Sequence, residues 1–134
     1  MDKKIVVFLT KDLFFIPMLR VASERVGCEF LIAPSLGNPR LTAVAPANVC
    51  LCILDLTLTS ADLLASIAAQ LRERFPCAKL AAFGPHVHEK SLASAVGADF
   101  EFVVTRGQLN KNPDQCLRLW TAHVESEDTD SITQ

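Results

Sequence analysis

No run of apolar residues approaches the ~20 needed to cross a bilayer, although half of the 134 residues are hydrophobic. The expectation is a soluble, cytoplasmic protein with no membrane partner. Met1-Asp2-Lys3-Lys4 leading into Ile5-Val6-Val7-Phe8-Leu9 mimics a signal peptide. The apolar stretch, however, is short and β-branched and lacks a small-residue cleavage site, so it reads as a first strand. Glycine is scarce, with five in the chain, and Gly84, Gly97 and Gly107 are scattered. A glycine-rich phosphate loop is therefore missing, which argues against a dinucleotide or flavin. A first loop of Thr10-Lys11-Asp12 is also too short to cradle a flavin phosphate. The G-x-S-x-G elbow of a serine hydrolase is absent. Nothing clusters lysine and arginine into a stripe, and the net charge of −2 leaves no footprint for nucleic acid. The five cysteines are odd in number and lack a C-x-x-C pair, so neither a disulfide framework nor a zinc knuckle is indicated. A reducing compartment fits. Cys50 and Cys52, two apart on a strand, should share one face as small core residues.

What the sequence does contain is an alternation of apolar strands and helical patterns. Strands are expected at Lys4–Thr10, Cys28–Ala33, Val49–Asp55, Lys79–Phe83 and Phe100–Thr105. Asp12 is placed to cap a first helix whose apolar face holds Leu13, Ile16, Leu19, Val21 and Val26 and which ends at Gly27, with Pro17 about one turn inside. Pro34-Ser35-Leu36-Gly37-Asn38-Pro39 is a loop. Leu41–Ala47 is short enough to be one small helix or an irregular connection. Thr59 and Ser60 should cap a helix over Ala61–Phe75, with Leu63, Leu64, Ile67 and Leu71 inward and Pro76 closing it. Gly84-Pro85 turns into a helix around Glu89–Ala95 that ends at Gly97. A last helix runs from Pro113 to about Val124, with Leu117, Trp120 and Val124 inward. Glu125 to Gln134 is polar and acidic without periodicity, and a disordered tail over 126–134 is expected beyond a domain of residues 1–125.

Five βα repeats with short crossovers and strands apolar on both faces predict an α/β fold. Right-handed crossovers leave few arrangements of a parallel sheet. For five strands the expected solution is a flavodoxin-like three-layer sandwich, strand order 2-1-3-4-5, with its switch point between the first and third strands. Ligands of open α/β sheets gather outside the carboxyl ends of the strands. Asp55, closing the apolar run Val49-Cys50-Leu51-Cys52-Ile53-Leu54, stands at that edge, as do the loops after Thr10, Gly84 and Thr105.

Over roughly Lys3 to Glu125 the chain resembles the receiver domain of two-component response regulators. The resemblance rests on Leu54-Asp55-Leu56, on Val96-Gly97-Ala98-Asp99 before the fifth strand, and on Arg106 just after it, at a distance from Asp55 close to the family's spacing. It implies that Asp55 is the equivalent of the phosphoacceptor. The family's other working parts are altered. Two acidic residues should end the first strand to hold Mg²⁺, but Thr10 and Lys11 stand there and Asp12 comes one place late. The switch serine or threonine falls on Gly84. The lysine after the fifth strand is matched by Arg106, with Gly107 in place of the usual proline, and arginine is larger, planar and bidentate. Phosphoryl transfer is mostly positioning and charge neutralisation, so loss of the metal carboxylates predicts a slow or absent reaction. The resemblance thus implies a pseudo-receiver, not an enzyme, in which Lys11, Asp55 and Arg106 form a fixed charge cluster. No cofactor is expected. Mg²⁺ enters only in the alternative reading, an atypical phosphoacceptor using Asp12, Asp55 and Arg106.

His86 and His88 beside Glu89 are weak candidates to join Asp55 as ligands of Zn²⁺ or Ni²⁺. Their plain reading is as loop or first-turn residues, because neighbours two apart do not share a helix face. His123, near the end of the last helix, complements the helix dipole. Of Phe14 and Phe15, one must point away from the core, since adjacent helical residues diverge by about 100°. The expected function is a stand-alone signalling or adaptor protein that binds a protein partner or a second copy of itself. The surfaces implied are the Asp55 edge and the face of the fourth helix, fifth strand and fifth helix.

Overall fold

The computed structural model describes residues 4–122. Five parallel strands, β1 (Ile5–Leu9), β2 (Glu29–Ala33), β3 (Val49–Asp55), β4 (Lys79–Gly84) and β5 (Phe102–Thr105), pair in the order β2-β1-β3-β4-β5. This is the doubly wound order expected from the βα repeat. β1, β3 and β4 are almost wholly buried, as strands covered by helices on both sides must be. One face of the sheet, with Val7, Leu9, Cys52, Leu54 and Ala82, is covered by α2 (Pro39–Thr42), α3 (Leu64–Arg74) and α4 (Glu89–Gly97). The other, with Val6, Phe8, Leu51, Ile53 and Phe83, is covered by α1 (Ile16–Arg25), α5 (Arg106–Lys111) and α6 (Pro113–Trp120).

The pleat of β3 corrects one expectation. Ile5 pairs with Val49 but Val6 pairs with Leu51, so Cys50 is an extra residue in the ladder. A bulge of this kind breaks strict alternation. Val49 and Cys52 therefore face α3, while Cys50 packs with Cys28 and Phe30 on the α1 side. Cys50 and Cys52 lie on opposite faces of the sheet.

The first helix starts at Ile16, one turn later than Asp12 would place it. Pro17 explains this: starting at Asp12 would set its ring against the carbonyl of Leu13 in the helix interior, whereas from Ile16 it sits harmlessly in the first turn. The shift rotates the buried stripe to Phe15, Leu19 and Ala22, with Val26 partly buried beside them. Leu13 and Val21, expected inward, are exposed. Gly27, with φ of +81°, takes the left-handed turn after this helix, a conformation glycine adopts without a Cβ penalty. The long helix expected from Ala61 is divided. Leu56–Leu58 and Ala61–Leu63 are single 3₁₀ turns before α3 begins, and Leu63 is exposed while Leu64, Ala68 and Leu71 are buried. Ser60 flanks the second turn with extended backbone but makes no side-chain cap bond. The uncertain Leu41–Ala47 segment is the end of α2 followed by a 3₁₀ turn at Pro46–Asn48.

Helix α5 has no counterpart in the elements expected from the sequence. It is closed by a capping box: Thr105 Oγ1 accepts from the Gln108 N–H at 3.1 Å and Gln108 Oε1 from the Thr105 N–H at 2.8 Å. This arrangement satisfies two otherwise orphaned helix donors. The last helix ends at Trp120, which stacks on Phe102 at 5.8 Å. The inward placement of Val124, the position of His123 and the tail all lie outside the described residues.

Candidate functional site

Asp55 ends β3 at the carboxyl edge of the sheet, yet only 3% of its surface is exposed. A carboxylate buried this deeply must find donors, because desolvation without compensation costs several kcal/mol. Three donors meet it. Thr10 Oγ1 donates to Oδ2 at 2.7 Å, and Oδ1 accepts from the Thr57 N–H at 3.0 Å and from Thr57 Oγ1 at 2.7 Å. Thr10 is itself 3% exposed at the end of β1, where its N–H bonds to the Ala33 carbonyl. Its oxygen also accepts the Asp12 N–H at 3.0 Å. The Thr57 contacts close an Asx turn that starts the 3₁₀ turn after β3.

Asp12 is engaged elsewhere. Its Oδ1 accepts from the Phe14 N–H at 2.9 Å, and its Oδ2 from Arg106 Nη2 at 3.1 Å. Arg106 and Asp12 are each about one-third exposed (35% and 39%), so this pair is worth at most about 1 kcal/mol. The Arg106 guanidinium also lies 5.3 Å from the centre of the Phe15 ring. Phe15 is buried against Phe83 at 5.0 Å, while Phe14 is 61% exposed.

Of the residues singled out in the sequence, Thr10, Asp12, Asp55, Gly84 and Arg106 meet at this edge, but not as one charge cluster. Two separate units form, Thr10–Asp55–Thr57 and Asp12–Arg106. Lys11 is exposed, and no hydrogen bond or ion pair joins it to Asp55 among the described residues. The pleat separates them: Thr10 turns toward Asp55, and Lys11 turns to the α3 side of the sheet, where it lines a cleft with Leu9 and Leu54. The residues present do not suit Mg²⁺. Asp12 is paired with Arg106, whose positive charge opposes a second cation there, and Asp55 is buried and held by Thr10 and Thr57, so a hard cation would have to displace these partners.

Gly84, where the resemblance calls for a hydroxyl, is buried at the end of β4. A Cβ built there would lie 3.2 Å from Leu56 Cβ and 3.3 Å from its Cδ1. Leu56, 2% exposed, thus fills the room that a switch side chain would occupy. His86 and His88 are both exposed in the loop before α4. His88 borders a shallow depression with Thr57, Val87 and Glu89. No group of three or more His, Cys, Asp or Glu side chains that could hold a metal ion occurs among the described residues.

The two thiols of β3 supply no reactive centre either. The Cys28 sulfur 4.0 Å away, followed by burial, pushes the Cys50 thiol up, and burial pushes Cys52 up to about 12. Both stay protonated and so are poor nucleophiles and ligands. The residues that sequence reasoning missed are Thr57 and Leu56. Asp-x-Thr at a strand end is a legible Asx-turn signal, whereas nothing local announces that Leu56 packs on Gly84.

No family model matches the chain, and no curated protein does. Solved structures do. A response regulator from Thermotoga maritima superposes with a TM-score of 0.68 at 16% identity, covering 90% of this chain and 99% of that one. The signal receiver domain of an HD domain-containing protein from Pseudomonas fluorescens Pf-5 gives 0.69 at 15% identity, covering 97% and 95%. A chain of the Saccharomyces cerevisiae co-crystal of a histidine phosphotransfer signaling protein with the receiver domain of its downstream response regulator gives 0.65 at 9%, covering 99% and 96%. At these identities the likeness establishes the receiver-type, flavodoxin-like fold.

Proposed function

We propose that the protein is a receiver-like signalling or adaptor module that works by binding another protein, with Asp55 serving as a structural hub rather than as a phosphoacceptor. The observation that carries this reading is the burial of Asp55 among three hydrogen bonds, with Asp12 drawn off to Arg106. Asp55 accepts three hydrogen bonds and is 3% exposed, so its carboxylate is enclosed rather than presented to solvent for in-line attack, while Asp12 accepts two and is paired with Arg106. Catalysis of phosphoryl transfer relies on charge neutralisation by such groups, and here their charge is spent on holding loops together. Gly84 backed by Leu56 removes the hydroxyl through which a phosphoryl group would be read out.

Two surfaces suit a protein partner. Leu13 (76% exposed) and Phe14 after β1 and Val87 (68%) after β4 lie on loops of the Asp55 edge. A groove of about 260 Å³ between α4 and β5, bordered by Leu92, Val96 and Val103, is the second. Exposed apolar clusters of this kind mark interaction sites. In the yeast co-crystal a receiver domain is paired with a phosphotransfer protein, which supports a signalling protein as the partner here.

The test is an amide NMR titration with Mg²⁺ followed by beryllofluoride. The expected result is no saturable shift at Thr10, Asp55, Gly84 or Arg106. Localised, saturable shifts there would overturn the reading and make the chain an atypical response regulator phosphorylated on Asp55.

A further inference from the structure

On the side of the sheet opposite the Asp55 carboxylate, a cleft of about 200 Å³ opens between the loops that follow β1, β2 and β3, walled by Leu9, Leu36, Leu54 and Ile67. Its position is that of the switch point, since β1 sends its crossover to one side of the sheet and β3 to the other. That crevice is where open α/β sheets take small ligands. The pleat makes the cleft independent of Asp55. Leu54, paired in register with Leu9, faces α3, and Asp55, the next residue, faces the other way toward Thr10.

The lining residues are apolar apart from Lys11, Ser35 and Thr59. Lys11 is the one charged group among the lining residues. Among the described residues no hydrogen bond or ion pair engages it. We infer that this cleft binds a small monocarboxylate with an apolar aryl or branched alkyl body, the body resting on the leucines and Ile67 and the carboxylate pairing with Lys11. A dry cavity of ~150 Å³ accommodates benzene. By that scale the volume here suits an apolar body of about eight non-hydrogen atoms, below the range of dinucleotides and drug-sized ligands. Charge decides the head group: a cleft whose one charged lining residue is a lysine favours a monoanion over a neutral or cationic counterpart.

The experiment is an amide NMR titration of the full chain with benzoate and, in parallel, with its neutral analogue benzyl alcohol. Benzoate is expected to give saturable shifts at Leu36, Leu54 and Thr59 and to bind roughly fivefold more tightly than the alcohol, the ratio expected of one partly exposed ion pair. Lys11→Met, which keeps the aliphatic stem at an exposed position, should abolish that preference while leaving alcohol binding unchanged. Ile67→Trp should fill the cleft and weaken both ligands at least tenfold. Shifts that fall elsewhere, equal affinity for the two ligands, or a benzoate preference that survives Lys11→Met would each overturn the assignment. None of these outcomes bears on the beryllofluoride test, so the two readings fail separately.

Discussion

Replacing Thr10 by valine tests whether Asp55 is a structural hub. The substitution keeps volume, β-branching and burial, and deletes only the hydroxyl that donates to Asp55 Oδ2 at 2.7 Å and receives the Asp12 N–H at 3.0 Å. A hydrogen bond to a buried charge is worth about 1.5–3 kcal/mol. Asp12 lies in a part-buried loop where water can replace the lost acceptor of its N–H, so that bond adds little. The expected cost is about 2–3 kcal/mol, or a fall in Tm of roughly 6–12 °C for a chain of this length. Urea unfolding followed by the fluorescence of Trp120, the single tryptophan and fully buried, would measure it. The cycle with Asp55→Asn isolates the cause. Asparagine keeps an oxygen for the Thr57 donors and offers Thr10 an N–H, so Asp55→Asn alone should cost less than Thr10→Val. Once the charge is gone, losing the Thr10 hydroxyl should cost about 1–2 kcal/mol less than in the native background. A Thr10→Val variant within about 0.5 kcal/mol of the native protein, or strict additivity in the cycle, would refute the hub and return Asp55 to the list of available reactive groups.

Three further outcomes follow from the same geometry. Gly84→Thr, which restores the hydroxyl that a switch residue would carry, should destabilise by about 1–3 kcal/mol because its Cβ and γ atoms drive into Leu56; unchanged stability by urea titration would mean that Leu56 yields freely. Arg106→Ala should cost no more than about 1.5 kcal/mol, the sum of a half-exposed ion pair and a cation–π contact with Phe15, and a larger loss would indicate that Arg106 serves Asp55 rather than Asp12. Cys52, whose thiol rises from 9.0 to about 12 on burial, should make the fold sensitive to alkali. Between those pH values the unfolded chain has released its proton and the native one has not, so stability falls as pH rises, by up to about 1.4 kcal/mol per unit. The difference in stability between native and Cys52→Ala proteins should therefore narrow from pH 9 to 11, and a constant difference would show that Cys52 does not titrate in this way.

The strand order, the layers and the position of Asp55 at the carboxyl edge were legible because each rests on a local signal. Continuous apolar runs such as Ile5–Leu9 and Leu51–Leu54 announce strands covered on both faces, and the turns at Gly27, Pro34–Pro39 and Gly84–Pro85 delimit the repeats. The start of α1 was misplaced because Asp12 is a good cap in isolation; it closes a short turn onto Phe14 instead, and Pro17 holds the helix back to Ile16. The opposite facing of Cys50 and Cys52 depends on a bulge in the pairing of β1 with β3, and that is a property of two strands. Helix α5 was readable after all in Thr105-x-x-Gln108, a capping box hidden by its closeness to the last helix.

The sequence alone determined which side chains reach the carboxyl edge, since strand period and crossover handedness leave few arrangements for five βα units, and its resemblance to receivers placed Thr10, Lys11 and Gly84 where a phosphoacceptor site would need two carboxylates and a hydroxyl. Only the tertiary structure decided which charges pair. Lys11, Asp12, Asp55 and Arg106 all stand on loops or strand ends of one edge, and the choice turned on the pleat that sends Lys11 and Thr10 to opposite faces and on the aromatic bed of Phe15 under Arg106. Pairing energies at such distances depend on burial and direction over a few ångströms, and those are set when distant segments pack, not by the order of residues along the chain.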